Sequence, residues 1–409
     1  MATSQRPGDV LIPKVELQGE GGNIRFPAES ILCANIYENM MSLGTFVKFS
    51  ITDTNDSLGN LNLRKGAWKG KFHFNAPGST IKKLDDLRLE SIKKVQDMGS
   101  NGAKAYELTL YSAPLLTNLS KLIQKKYNKT IGNIVKDVGK EIGITKWEEF
   151  EDTKGVQEYW ASNFNGDYIL HQLNRRAVSN NSKSSLYFTF ANYKDGKEVY
   201  NFVTIEKLFK QESFRKMIHE NAGGSNLRYE EENDGRIINY VYPKVNSLSQ
   251  LIMGNRKQET RESGPGNHRN EKKDYTKKDT DYTSGGNKTK LGNMNEYTKN
   301  IGTAHTIPSD KSYLPDDYLT KAFPDKQSYL SFITDNCLNI QVYGDSQYTA
   351  GKILDIKINR NEGTTGPQEP DPQLNGKMVI VGVNHEIRGN RTSPRYICHM
   401  DCLKGSHQK

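Results

Sequence analysis

Residues 396–405 read YICHMDCLKG and hold two of the chain's 4 cysteines, with a histidine and an aspartate between them. Thiolates, an imidazole and a carboxylate set so close are the donor set of a zinc site. The same letters also spell a β-strand with sulfur on its buried face. Backbone geometry separates the two readings. Pro394 and the β-branched run upstream oppose a helix. Along a strand side chains alternate between faces, so Cys398, Met400 and Cys402 share one face while His399 and Asp401 take the other. Cys398 and Cys402 then stand about 13 Å apart at ~3.3 Å per residue. Two sulfurs on one zinc lie within about 4 Å, given bonds of about 2.3 Å. One straight strand cannot bind a metal through both, and the stretch reads as a packing strand.

This strand has a counterpart earlier in the chain. AYELTLYSA (105–113) closes a hairpin with LRLESIKKV (87–95), as RYICHMDCL (395–403) closes one with MVIVGVNHEI (378–387). Aligning Tyr106 with Tyr396 sets Leu108 on Cys398, Leu110 on Met400 and Ser112 on Cys402. Upstream, Gly70-Lys71-Phe72 corresponds to Gly351-Lys352-Ile353. Shared order and period point to a duplicated barrel, with Cys398, Met400 and Cys402 on its inward face.

From Ile31 to Ser112 apolar and polar residues alternate between turn sequences, the pattern of a small barrel or sandwich. The predicted strands are 31–40, 45–54, 67–75, 87–95 and 104–112, divided by NDSLGN, NAPGS and DMGSNG. GEGGN (19–23) reads as a loop. After Ala113-Pro114 the period turns helical, giving helices at LLTNLSKLIQKKY (115–127), TIGNIVKDVGKEIG (130–143) and DYILHQLNRRAVSN (167–180). In the second, Ile131, Ile134, Val135, Val138 and Ile142 share one face, with Thr130 as N-cap and Gly143 as stop. SLYFTFANY and EVYNFVTIEKL form a hairpin about Lys194-Asp195-Gly196. Strands return at NLRYEE (226–231) and GRIINYVYP (235–243), followed by a short helix, NSLSQLIMG (246–254). The stretch 255–312 is polar and without apolar anchors, and reads as a flexible insertion. A helix at 326–336 leads into strands at 338–344, 351–359, 377–387 and 395–403. The fold class is therefore mainly β with α+β insertions. Two similar antiparallel β-barrel domains (1–112, and 211–254 with 325–409) flank an α+β domain (113–210) and a polar insertion (255–324).

Hydrophobic residues make up 34% of the 409 and mean hydropathy is -0.76, so much of the chain is surface or subunit interface. Tyr outnumbers Phe 21 to 14, which suits polar assembly contacts. A net charge of +9 favours acidic partners, nucleic acid among them. The densest basic run, EKKDYTKKDTDYT (271–283), interleaves lysine with Asp274, Asp279 and Asp281, the make-up of a solvated linker and not of a one-sign phosphate footprint. Cysteines at 33, 337, 398 and 402 make no disulfide framework. The start lacks an apolar signal core and no run approaches a membrane span, so a soluble chain made in a reducing cytoplasm is expected.

Candidate chemistry is sparse. His385-Glu386 opens like HExxH, but position 389 is glycine and the second ligand is missing. His73 alternates with Phe72 and Phe74 and reads as a strand surface residue; His171 reads as structural on its helix. Glu148, Glu149, Glu151 and Asp152 form an acidic cluster from which a cell-wall hydrolase would draw its carboxylate pair. No phosphate loop, nucleophile elbow or dinucleotide fingerprint is present. The expectation is no enzyme, no metal and no cofactor.

LNIQVYGDSQYTAGKILDIKI (338–358), LNGKMVIVGVNHEI (374–387) and RYICHMDCLKG (395–405) together resemble the C-terminal barrel of baseplate central hub proteins of contractile-tailed bacteriophages. Gly344-Asp345-Ser346, Gly351, Gly376, His385 and Tyr396 follow that family's order, and with Cys398, Met400 and Cys402 they are the expected structural barrel positions. The middle region (TIGNIVKDVGKEIG, FEDT, GDYILHQLNRRAVS, SLYFTF) is similar as well. The resemblance covers most of 30–250 and 325–405, and 255–312 has no counterpart in it. It implies a homotrimer whose paired barrels form a ring of near-sixfold symmetry, adapting a sixfold tail tube to a threefold central spike. It implies a virion location in the tail baseplate after assembly in the host cytoplasm. The tape-measure protein or DNA would pass through the lumen. The hub part of a type VI secretion spike shares this architecture. Outside this class, a tail-associated cell-wall hydrolase and a nucleic-acid-binding module are the competing readings.

Overall fold

A computed structural model describes residues 8–20, 22–54, 58, 65–98, 103–144, 146–181, 186–219, 235–241, 268–273, 280–285, 304–308, 337–358, 374–389 and 395–404. The molecule is mainly β. The predicted strand 226–231 and the predicted helices 246–254 and 326–336 lie outside the described residues.

Period-two sequence gives the first set of strands: β1 (Leu11–Gly19), β2 (Gly22–Phe26), β3 (Ile31–Asn39), β4 (Phe46–Asp53), β5 (Lys69–Asn75), β6 (Lys82–Met98) and β7 (Ala103–Ser112). β1 and β2 lie outside the predicted strands, and β1 contains Pro13, a residue that strand interiors disfavour. A register shift between Leu11 and Lys14 takes up the proline, and Gly19 pairs with Gly22 at the end of the β1–β2 hairpin. These strands lie in the order β3-β4-β7-β6-β5-β1-β2. No pairing among the described residues closes them into a ring.

The middle region carries α1 (Ala113–Ser120), β8 (Leu122–Thr130), α2 (Ile131–Ile142), β9 (Trp147–Phe150), β10 (Val156–Asn165), α3 (Gly166–Arg176), β11 (Tyr187–Lys194), β12 (Lys197–Thr204) and α4 (Ile205–Phe209). α2 has its expected caps: the Thr130 hydroxyl accepts from Asn133 N, and Gly143 is left-handed at φ 96°. The helix expected over 115–127 ends at Ser120, and 122–130 is a strand paired with β10. Ile123 and Tyr127, its buried residues, are four apart. That spacing puts both on one face of a helix or of a strand, so the pairing with β10 decides. Expected strand residues after Thr204 instead form α4, capped by the Thr204 hydroxyl. Asp195 and Gly196, both at positive φ, make the tight β11–β12 turn.

The last set is β13 (Arg215–His219), β14 (Gly235–Val241), β18 (Cys337–Tyr343), β19 (Ile353–Ile358), β20 (Gly376–Arg388) and β21 (Arg395–Lys404). They run β19-β13-β14-β18-β21-β20, and a β19–β20 pairing closes the barrel. β13 pairs in parallel with both neighbours, so this barrel is not wholly antiparallel. Between β14 and β18, inside the expected flexible insertion, β15 (His268–Lys273), β16 (Thr280–Gly285) and β17 (Ala304–Pro308) form a small sheet of their own. Within the basic run, Glu271, Lys272 and Lys273 pair with Tyr282, Asp281 and Thr280.

The two large sets share one strand order. β5-β6-β7-β4-β3 matches β19-β20-β21-β18-β14, and the final hairpin of each has the alternation that the alignment of Tyr106 with Tyr396 requires. They join edge to edge where the second half of β20 pairs with β3, giving a single 13-stranded sheet. Their cores merge through Phe49, Phe72, Phe74 and Tyr396, with ring centroids 5.5, 6.0 and 5.8 Å apart in turn. Among the described residues no helix is long and apolar enough to cross a membrane.

Candidate functional site

Where β20 meets β3, the apolar core is interrupted by charge. Inward positions of β3 run Ala34, Ile36, Glu38, and the first inward position of β6 is Lys82. The Glu38 and Lys82 side chains are 0% and 1% exposed and form an ion pair of 2.5 Å. An ammonium has three N–H groups. Lys82 Nζ places them on Glu38 Oε1, on the Tyr348 carbonyl at 2.8 Å and on His385 Nε2 at 3.0 Å. Tyr193, at the end of β11, lays its ring 4.9 Å beneath the same ammonium. The second carboxylate oxygen of Glu38 accepts from the Thr349 hydroxyl.

His385 passes the network onward. With Nε2 accepting from Lys82, Nδ1 bears the ring proton and donates to Tyr396 Oη at 2.7 Å. Cys398 Sγ lies 3.2 Å from the same nitrogen, and its thiol points to the Asp345 carbonyl at 3.9 Å. Asp345 Oδ1 accepts from the Ser79 hydroxyl and from Gln347 N, both at 2.9 Å, while Oδ2 pairs with Arg215 at 2.7 Å. The Ser346 hydroxyl donates to the Thr80 carbonyl at 2.6 Å. The Gly-Asp-Ser turn of the closed barrel therefore grips the β5–β6 loop of the other sheet. Gly344 is required there, since a Cβ would lie 2.1 Å from the Tyr396 ring.

Burial opposes the charge on Glu38, yet the Lys82 ammonium wins and holds its pKa at about 2. Burial and the Lys82 charge push His385 down to about 4, so the ring is neutral at neutral pH. Cys398, His385 and Glu38 stand in the order of a nucleophile, base and acid. Burial raises the Cys398 thiol to about 12, however, so no thiolate forms beside a neutral imidazole. The node is closed from solvent and its charges are matched. Its chemistry is cohesion.

The remaining sequence candidates separate. Met400 and Cys402 are buried further along β21, while His399 and Asp401 face outward. Gly351 and Gly376 take positive φ at the ends of the segments leading into β19 and β20. Glu386 pairs with Arg388 and His399, and His73 with Asp85. The acidic cluster is dispersed: Glu148 pairs with Lys194 and Glu149 with Lys207. Glu151 is buried and accepts from the hydroxyls of Ser179 and Thr204. Sequence reasoning missed Glu38, Lys82, Thr349 and Arg215. Glu38 was legible in principle, as a carboxylate in the inward phase of an apolar strand.

Neither a protein-family model nor a curated protein sequence matches the chain. Solved structures do. The 43 kDa tail protein of prophage MuSo2 from Shewanella oneidensis aligns over 96% of this chain and 98% of its own, at 8% identity and a TM-score of 0.53. The tail protein from Neisseria meningitidis MC58 aligns over 96% of each chain, at 9% identity and 0.52. A chain of the half-lidded Francisella PdpA–VgrG complex aligns over 99% of this chain and 60% of its own, at 11% and 0.56. At such identities the likeness is one of fold. The chain has the architecture of phage tail proteins and of a chain in a VgrG complex, as the resemblance in its sequence implies.

Proposed function

We propose that this chain is a structural hub of a phage tail baseplate, acting as a homotrimeric ring between a sixfold tail tube and a threefold central spike. The observation that carries this reading is the repeated strand order. One chain holds two β units of like topology joined edge to edge, so three chains present six like units to a sixfold partner and three whole chains to a threefold one. The ion-paired node suits that role, because it locks the two units of a chain in one orientation. A transmitted load then meets a rigid body and not a hinge. The tape-measure protein and DNA are the cargo of the ring's lumen, and the virion tail is its place.

The hub part of a type VI secretion-like spike is a second reading, favoured by the likeness to a chain of the PdpA–VgrG complex. Native mass spectrometry and electron microscopy of the chain, purified and in assembled tails, test the hub itself. A threefold ring with pseudo-sixfold outline is expected. A monomer in both settings would refute it.

A further inference from the structure

Inside the chain, the second half of β20 lies against β3 with His385 opposite Ile36. The shared topology assigns each of these residues a counterpart. Ile92 of β6 faces Leu108 as His385 of β20 faces Cys398. Tyr240 of β14 faces Ile340 as Ile36 of β3 faces Val47, and Ile340 and Val47 sit opposite Met400 and Leu110 respectively. So Ile92 stands where His385 does, and Tyr240 stands where Ile36 does.

The in-chain pair is closed, and its counterparts are not. Among the described residues no strand pairs with Ser91–Gln96 on the side of β6 away from β7, nor with Asn239–Val241 on the side of β14 away from β18. His385 and Ile36 are 0% exposed. Ile92 and Tyr240 point into the same core but are only partly buried, and Val241 beside Tyr240 is 59% exposed. Each is an inward position with no strand beside it on that side among the described residues, although the His219 ring packs edge-on against Tyr240. Open edges of this kind are templates for another chain.

We infer that two copies of this chain join through these edges, with Ser91–Lys93 of one copy running antiparallel to Asn239–Val241 of the next. The register follows from the joint within the chain: Ile92 opposite Tyr240, Ser91 opposite Val241 and Lys93 opposite Asn239. Each copy carries one edge of each kind, so the contact is head to tail, the kind that builds a ring when its rotation closes. The inference rests on the hub reading and names the surface that would build it. In a trimer, three joints within chains alternate with three between them.

Ser91 and Val241 face solvent, and directly opposed residues of an antiparallel pair have Cβ atoms about 4.5–5.5 Å apart, near disulfide reach. The full-length chain carrying Ser91→Cys with Val241→Cys is oxidised mildly, both purified and in assembled tails, and run on a non-reducing gel. A reducible covalent trimer is expected. The single variants, and the offset pair Lys93→Cys with Val241→Cys at about 7–8 Å, are expected to stay uncrosslinked. Native mass of the same samples separates the two ideas. A trimer that the Ser91/Val241 pair fails to crosslink overturns this surface and leaves the hub reading intact. A monomer without crosslinks overturns both.

Discussion

Replacing Lys82 with Met removes one charge from the node and keeps most of the stem's length. Glu38 is left 0% exposed on its side chain, with only the Thr349 hydroxyl and His385 Nε2 at 3.3 Å for company. Breaking a buried pair by removing one partner costs about 3–5 kcal/mol. Lys82→Met should therefore weaken the β20–β3 joint by about 3 kcal/mol. Glu38→Gln should cost a similar amount, and the double variant little more than either alone. The assay is amide exchange by mass spectrometry on 31–39 and 376–388, which reads the joint locally and needs no two-state unfolding of the whole chain. At ~1.4 kcal/mol per tenfold, exchange there should quicken roughly a hundredfold in each single variant. The thermodynamic cycle should return a coupling of about 2–3 kcal/mol. Coupling within about 0.5 kcal/mol, the range of independent sites, would refute the claim that these two charges stabilise each other at the joint.

Acid should loosen the same joint in two stages. His385 sits at about 4 against an ordinary 6.5, so the unfolded chain takes up its proton first and stability falls between those values. Glu38, at about 2 against 4.5, extends the loss below pH 4.5; urea midpoints measured from pH 7 to 3 check both. Gly344→Ala sets a methyl 2.1 Å from the Tyr396 ring, and overpacking of this kind costs about 1–3 kcal/mol, readable as a fall in Tm. Gly143→Ala meets open space at positive φ and should cost only about 1 kcal/mol. A thiol reagent at neutral pH should label Cys33 and Cys337, which are half-buried, and reach Cys398 and Cys402 only after denaturation. Glu149→Gln should leave stability within about 0.5 kcal/mol, because its pairing with Lys207 is exposed.

Much of the fold was legible because local chemistry and the final structure agree. The closing strands alternate from Tyr106 to Ser112 and from Cys398 to Cys402, and α2 announced both of its caps. The Asp195-Gly196 turn needed the positive φ that its residues tolerate. Where several local patterns were allowed, the reading failed. Ile123 and Tyr127 fit one face of either element, β1 contains Pro13, which strand interiors disfavour, and β13 is too short to show a period.

YICHMDCLKG marks the boundary between the two kinds of information. Alternation along a strand is a property of consecutive residues, so the inward face of Cys398, Met400 and Cys402 followed from the letters alone. Which groups that face would meet did not. Glu38 and Lys82 are 44 residues apart, and Lys82 and His385 are 303 apart; only the edge pairing of β20 with β3 brings Glu38 and His385 together. Lys82 arrives separately, from the start of β6, and no local preference encodes such a meeting. A buried carboxylate becomes tolerable only when a distant ammonium arrives, and that arrival is a property of the closed sheet.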